Sequence, residues 1–191
     1  MIQKIERVTK ETHICVELNL EGTGLSSIAT GIGFFDHMLE AFAKHSWIDL
    51  NITCKGDTHI DFHHSVEDVG IVLGQALRQA IYPILSVERY GNAVVVMDEA
   101  AVECALDLSN RPYLVYEIEM DGKVGEFDVE LAEEFFRALM GNAGITAHIV
   151  ALRGKNKHHL LEAAFKAFAV ALRRSLVKNE RAGIPSTKGV L

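Results

Sequence analysis

The chain has 191 residues, of which 49% are hydrophobic, and a formal net charge of −7 at pH 7. This length and composition predict a globular protein with one sizeable core or two small fused ones, and the acidic balance argues against nucleic acid as a main partner. No apolar run reaches the ~18 residues of a membrane helix, and the charged start is unlike a signal peptide. We therefore expect a cytoplasmic protein that spans no membrane.

Hydrophobic periodicity predicts strands and helices in a repeated order. The first half is predicted to contain a strand at 13–20, a helix at 34–45, a strand at 47–53 and a helix at 63–85 that ends near Pro83. The second half is predicted to contain strands at 93–97, 102–108 and 113–120, a helix at 128–140, a strand at 145–152 and a helix at 158–177.

The pattern His-His-x-x-Glu occurs twice, and each member recurs after 95 positions (63 and 158, 64 and 159, 67 and 162). Residues 34–52 also align with 131–149 at an offset of 97, which pairs His37 with Glu134. We therefore predict an α+β fold made of two duplicated, pseudo-symmetric half-domains, approximately 1–91 and 92–191, fused into a single compact domain. Each half is expected to be a mostly antiparallel sheet with helices packed on one face.

The spacing within each motif suits a divalent metal, because residues i and i+4 lie on the same face of a helix. Adjacent residues point about 100° apart, so the second histidine of each motif should reach the other site. The simplest symmetric arrangement gives one metal His63, Glu67 and His159, and the other His158, Glu162 and His64. His37 and Glu134 are natural fourth ligands. This arrangement works within one chain or between chains. Imidazole-rich sites favour Zn, Fe or Ni, and the carboxylates make Mn a further option.

A second group of residues could bind a phosphate. Arg89, Arg111, Lys166 and Lys188 are basic, and Lys188 follows Ser186 and Thr187 in a short segment of small residues. Cationic side chains, hydroxyls and backbone amides together are typical of phosphate sites.

Six segments carry a family resemblance: 33–39 (GFFDHML), 56–70 (GDTHIDFHHSVEDVG), 111–114 (RPYL), His158-His159, 165–168 (FKAF) and 185–189 (PSTKG). Through these segments the chain resembles imidazoleglycerol-phosphate dehydratase over essentially its whole length. The resemblance implies a metal-dependent hydro-lyase of histidine biosynthesis that acts on a small phosphorylated imidazole. It also implies two Mn²⁺ per active site and a homo-oligomer of 24 subunits with active sites between subunits.

The resemblance also implies residue roles. His37, His64, His158 and Glu162 match the ligands of one manganese, and His63, Glu67, Glu134 and His159 match those of the other. Substrate contacts are matched by Glu11, His37, His45, Arg89, Arg111, Lys166, Ser186, Thr187 and Lys188, with Glu11 the candidate acid/base. Three positions depart from the family: Glu134 replaces a frequent His, Phe62 a frequent Asp, and Asn110 a common Gly.

The implied reaction removes a hydroxyl beside an imidazole ring and a proton from the next carbon, which no carbonyl acidifies. Two metals on the ring nitrogens would favour an imidazolate that can expel the hydroxyl through a diazafulvene-like intermediate. The alternative is a non-catalytic di-metal binding or storage assembly, which explains the repeated ligands but not the basic residues. A two-metal hydrolase would usually have more carboxylate ligands.

Overall fold

The computed structural model describes residues 2–84, 86–189 and 191. In this part of the chain the first half contains β1 (Gln3–Val8), β2 (Thr12–Asn19), β3 (Ser26–Ala29), α1 (Gly33–Ser46), β4 (Asp49–Gly56) and α2 (His63–Ile81). The second half contains β5 (Tyr90–Met97), β6 (Ala100–Asp107), β7 (Tyr113–Glu117), β8 (Lys123–Val124), β9 (Phe127–Asp128), α3 (Leu131–Ala143), β10 (Thr146–Arg153) and α4 (Lys157–Ser175).

The two large sheets have the same topology. Their strand orders are β1-β2-β4-β3 and β5-β6-β10-β7. In each sheet the last strand pairs in parallel with its neighbour and the other pairs are antiparallel. The predicted α+β fold of two duplicated halves is therefore confirmed. Strand β5 begins at Tyr90, two residues before the start expected for the second repeat.

The four long helices carry the core. Helix α2 packs on α3, and α4 packs on α1. Aromatic rings join the two pairs where the halves meet: Phe135 stacks on Phe165 at 5.3 Å between centroids, and Phe136 contacts Phe168 at 5.6 Å. These rings are almost fully buried, so the helix pairs share one apolar layer that fixes the relative positions of both histidine motifs.

The α2–α3 pair is especially close because α2 carries glycine at the contact. A Cβ on Gly70 would lie 2.8 Å from the carbonyl oxygen of Phe135 and 3.0 Å from the Cβ of Ala138. One turn later, a Cβ on Gly74 would meet the carbonyl oxygen of Leu139 at 2.7 Å. The residue numbers at the contact increase along both helices, from 70 to 74 on α2 and from 135 to 139 on α3. Helices α2 and α3 therefore run in the same direction.

Several predicted boundaries are shifted for local reasons. The helix expected over 63–85 ends at Ile81, because Pro83 follows and cannot continue the backbone hydrogen bonds; Leu85 lies outside the described residues. The helix expected from 128 begins at Leu131, since Asp128 belongs to β9. The strand expected from 47 begins at Asp49, because Trp47 adopts a left-handed conformation (φ 63°) that ends α1.

Four strands were absent from the sequence prediction: β1, β3, β8 and β9. Strand β7 is also shorter than expected and ends at Glu117 rather than 120. The missed strands are short or mostly polar, so they lack the apolar alternation that reveals a half-buried strand. No helix among the described residues combines the length and apolar character needed to cross a membrane.

Candidate metal and substrate site

Three predicted ligands meet where α1 packs on α4. His37 comes from α1, and His158 and Glu162 stand one turn apart on α4. Oε2 of Glu162 lies 3.0 Å from Nε2 of His158 and 3.3 Å from Nε2 of His37. One ligand atom from each residue lies within 4.8 Å of the other two. Two imidazoles and a carboxylate converging in this way form a donor set suited to a transition-metal ion.

Local sequence positions the two α4 histidines. Asn156 caps the helix: its side-chain oxygen accepts hydrogen bonds from the backbone amides of His158 and His159. Such caps satisfy amides that the first helical turn leaves without partners. In the first half one amide is satisfied from just before the helix: Oδ1 of Asp61 accepts from the backbone amide of His63 at 2.8 Å.

Glu162 is held by a lysine as well as by the histidines. Its side chain is 8% exposed, and its Oε1 lies 2.6 Å from Nζ of Lys166, one turn further along α4. Burial raises the pKa of Glu162, but the hydrogen bonds from Lys166, His158 and His37 outweigh it and leave the pKa below its ordinary value. The carboxylate is therefore ionised and ready to bind a cation.

The first-half motif is more open. Nε2 of His63 lies 3.8 Å from Oε2 of Glu67, and both side chains are 45% exposed. Glu134 lies one turn before Ala138 on α3, and Glu67 lies nearly one turn before Gly70 on α2. Since Gly70 faces Ala138 and the helices run in the same direction, Glu134 lies on the stretch of α3 that faces Glu67. This is the position that the repeat gives to His37 beside Glu162.

The second histidine of each motif has a carboxylate of its own. Nδ1 of His64 lies 3.0 Å from Oδ2 of Asp57, and Nδ1 of His159 lies 2.8 Å from Oε2 of Glu99. These hydrogen bonds raise the pKa of both histidines, and the bond to His159 lowers the pKa of Glu99 to about 2. A carboxylate on Nδ1 orients the ring and directs Nε2 towards a metal. Neither carboxylate was singled out from the sequence as a ligand partner.

Among the described residues, one group of three ligand atoms comes together within the chain, from His37, His158 and Glu162, and it includes no histidine of the first motif. Helix α2 packs on α3, and α4 packs on α1, so the two motifs stand on different helix pairs. Only Nδ1 of His64 and of His159 meets a carboxylate at hydrogen-bond distance, which leaves Nε2 of both rings available as a metal ligand.

The expected substrate-binding residues on and around α4 fall into two groups. Lys166 lies beside Glu162. The pKa of His45 is lowered, first by its burial and then by the positive charges of Lys166 and Arg173. Arg173 also donates to the carbonyl oxygen of His45 at 3.0 Å. Its guanidinium carbon Cζ lies over the Trp47 ring, 4.0 Å from the ring centroid.

The other group lies at the far end of α4. Arg89 forms two hydrogen bonds with Asp107 (2.7 and 3.0 Å) and one with the carbonyl oxygen of Pro185 (2.7 Å). Arg111 also approaches Asp107, at 3.8 Å. Ser186, Thr187 and Lys188 follow Pro185, and the Lys188 amide donates to the Ser186 hydroxyl.

The second group lies far from the His158–Glu162 cluster of the same chain. The Arg89 amide donates to the carbonyl oxygen of Ser175 at the end of α4. Ser175 lies about 25 Å along the helix from His158. Arg89, with Pro185 and Asp107 beside it, therefore lies at the opposite end of α4 from the His158–Glu162 cluster of the same chain.

The departures at positions 62 and 110 have clear surroundings. Phe62 immediately precedes α2 and packs, partly buried, against the core. Asn110 has a φ of 54°, in the left-handed region that Gly and Asn tolerate best. Its backbone amide donates to the hydroxyl of Tyr82 at 3.0 Å. Glycine would therefore adopt the same conformation without strain.

Paired histidine–carboxylate clusters on a duplicated α+β scaffold, with separate cationic groups, are the features expected of a metal-binding enzyme for an anionic substrate. The family model described as imidazoleglycerol-phosphate dehydratase matches residues 30–172, and the chain belongs to this family.

Relatives match over nearly their full length. The imidazoleglycerol-phosphate dehydratase of Aliarcobacter butzleri is 71% identical, with 98% of this chain and 99% of the relative covered. That of Nitratiruptor sp. is 69% identical over the same shares. The crystal structure of the Staphylococcus aureus enzyme superposes with a TM-score of 0.85 at 42% identity, covering 94% of this chain and 100% of that chain. The Pyrococcus furiosus enzyme, solved in complex with (S)-C348, gives 0.84 at 41% identity, covering 98% and 100%.

Proposed function

We propose that this protein dehydrates imidazoleglycerol phosphate to imidazoleacetol phosphate, a hydro-lyase step in histidine biosynthesis. The cluster of His37, His158 and Glu162 beside Lys166 carries the proposal, because it places metal ligands next to a cation that can receive a phosphorylated ligand. Family membership and relatives that match almost the whole chain support the same activity.

Two manganese ions per active site would fit the donor set. One ion would be held by His37, His64, His158 and Glu162, and the other by His63, Glu67, Glu134 and His159. The ionised Glu162 and the carboxylate-oriented rings of His64 and His159 favour this assignment. When bound, the ions would stabilise the imidazolate form of the substrate ring.

The active site would lie between copies of the chain. The cluster of His37, His158 and Glu162 includes no histidine from the other motif, and Arg89 packs against Ser175, which lies about 25 Å along α4 from His158. A second copy that brings His64 or His159 would complete the ligands, and a neighbouring copy would bring the distant arginines. A closed homo-oligomer, with 24 subunits as the family resemblance implies, satisfies both requirements at every site.

The other steps belong to side chains of the protein. Glu11 is the proposed acid/base, since Oε2 lies 3.9 Å from Nδ1 of His64 and the side chain is 56% exposed. A carboxyl group there can supply the proton to the leaving hydroxyl and take the proton from the next carbon. Lys166, Arg111 and Lys188 would hold the phosphate and so fix the reacting carbons against Glu11.

Incubation of the manganese-loaded protein with imidazoleglycerol phosphate tests this function. We expect the keto product, detectable by mass spectrometry as the loss of one water, and no product with Glu11→Gln at an unchanged manganese content. A wild-type protein that binds manganese but forms no keto product would instead support the storage assembly. Release of inorganic phosphate would support a hydrolase.

A further inference from the structure

The hairpins β1–β2 and β5–β6 occupy equivalent places in the two repeats. Val16 pairs with Ile52 in one sheet, and Cys104 pairs with Ile149 in the other. The register therefore relates the hairpins at an offset of 88 (16 and 104), and Glu11 in the first turn corresponds to Glu99 in the second. Both glutamates approach the second histidine of their own half.

The equivalent glutamates nevertheless have different tasks. Glu99 is fully engaged: Oε2 lies 2.8 Å from Nδ1 of His159, and Oε1 accepts from the backbone amides of Lys155 and Asn156. In the first half Asp57 takes over the histidine, at 3.0 Å from Nδ1 of His64. The carboxylate of Glu11 lies 3.9 Å from Nδ1 of His64, so Glu11 does not hold its histidine in place as Glu99 holds His159.

The hairpin that carries Glu11 is fixed by a buried polar contact. Oγ1 of Thr12 donates to Oδ2 of Asp68 at 2.5 Å, and NH1 of Arg7 lies 2.5 Å from the same oxygen. Thr12 is 3% exposed and Asp68 is 7% exposed. Thr12 follows Glu11 directly in the chain, and Asp68 follows Glu67. The contact therefore joins the residue next to the proposed acid/base to the residue next to a proposed ligand.

The second repeat holds its hairpin without this contact. At the hairpin offset of 88 Thr12 corresponds to Ala100, and at the motif offset of 95 Asp68 corresponds to Ala163. Both alanines are buried, at 1% and 0% exposed. Packing a hairpin on a helix in this fold therefore does not require the polar pair. A buried carboxylate is costly unless charges and hydrogen bonds compensate it, so its presence in the half that carries the free glutamate needs a further reason.

We propose that Asp68 is a positioning residue that acts through Glu11. With Thr12 and Arg7 it sets the distance between the Glu11 hairpin and the start of α2, which carries His63, His64 and Glu67. Directional polar contacts fix one arrangement, whereas an apolar contact permits sliding. The proposal rests on the proposed function, since it concerns the placement of the acid/base in that reaction.

Thr12→Val removes the hydroxyl at similar volume, and Thr12→Ser keeps it. We expect Thr12→Val to lower kcat roughly 10- to 100-fold, the scale of a displacement of about 1 Å, with KM and manganese content unchanged. Thr12→Ser should stay within about twofold of the wild type. The double variant Thr12→Ala with Asp68→Ala copies the second repeat at these two positions, and we expect it to fold and assemble but to lose kcat to a similar extent.

Ser175→Ala is the matched control. It removes another fully buried hydroxyl, which donates to the carbonyl oxygen of Leu172 at the far end of α4, and it should leave kcat unchanged. A wild-type kcat in both Thr12→Val and the double variant would overturn the proposal. So would a loss that comes with manganese loss or higher KM, or an equal loss in Thr12→Ser.

Measuring Glu11→Gln alongside distinguishes a failure of the proposed function or of the acid/base assignment from a failure of the positioning role alone. If the wild type forms no keto product, the proposed function fails and the positioning role fails with it. If Glu11→Gln retains full turnover, the acid/base assignment fails and leaves Asp68 nothing to position. If Glu11→Gln is inactive while the Thr12 variants keep wild-type kcat, only the positioning role is overturned.

Discussion

His158 and Glu162 lie 3.0 Å apart on α4, whereas the equivalent His63 and Glu67 lie 3.8 Å apart on α2. The difference follows from their surroundings. Glu162 is 8% exposed and paired with Lys166, whereas Glu67 is 45% exposed. The repeat position of Lys166 is occupied by Ile71 in the first half, which supplies no cation. The two proposed metal positions are therefore chemically unequal, although one duplicated motif produced both.

Removal of metal should weaken the oligomer as well as abolish turnover. On the proposed arrangement, each ion joins ligands from two copies of the chain, so binding free energy contributes to assembly. Size-exclusion chromatography before and after exhaustive chelation, with manganese measured in each fraction, tests this expectation. We expect smaller species after chelation and recovery of the original size when manganese is added. An assembly of unchanged size that is shown to contain no metal would contradict the intersubunit arrangement.

Lys166→Ala and Arg111→Ala should mainly weaken capture of the substrate. Each loses a charge-assisted contact to phosphate, worth roughly 1.5–3 kcal/mol, which corresponds to a rise in KM of about tenfold or more. Manganese content should stay at two ions per active site. Lys4→Ala is the control for net charge, because Lys4 is an exposed lysine on β1 that pairs with Glu17 on β2. Loss of manganese with normal KM in either variant would show that the residue supports the metal site instead.

The repeated motif made much of the site accessible from sequence. His158 and Glu162 are four residues apart, so helical periodicity alone placed them on one face, and the repeat drew attention to His37. The partners Asp57 and Glu99 could not be found in this way, because they lie on loops whose approach to His64 and His159 depends on sheet register. The separation of Arg89 from His158 was also hidden, since it depends on how the loop before β5 packs against the end of α4.

Gly70→Ala should destabilise the protein by about 1–3 kcal/mol, the usual cost of overpacking. The added Cβ would lie 2.8 Å from the carbonyl oxygen of Phe135, and backbone cannot move aside as a flexible side chain can. Thermal unfolding at fixed metal and protein concentration measures the effect. Gly141→Ala is the control, because a Cβ there meets no atom within 4 Å and alanine favours the helix. Equal melting temperatures in the two variants would refute the close α2–α3 contact.

Asn110→Gly should leave stability nearly unchanged, whereas Asn110→Ala should destabilise by roughly 1 kcal/mol. The φ of 54° at Asn110 is costly for alanine but open to glycine. The adjacent Arg111 should be displaced only in the alanine variant, so KM should rise there as well. Chemical denaturation together with steady-state kinetics tests both expectations. Similar unfolding free energies for the two variants would show that this turn tolerates any residue.

Glu134 gives the sharpest test of the repeat. It lies on the stretch of α3 that faces Glu67, where the repeat places His37 in the other half. If it binds metal, Glu134→His should retain two ions per active site and substantial turnover, since either side chain supplies a ligand atom. Glu134→Ala should lose one ion more readily and lose most turnover. Glu130→Ala, an exposed residue just before α3, controls for loss of charge. Metal retention equal to the wild type in Glu134→Ala would refute the ligand assignment and the pairing of Glu134 with His37.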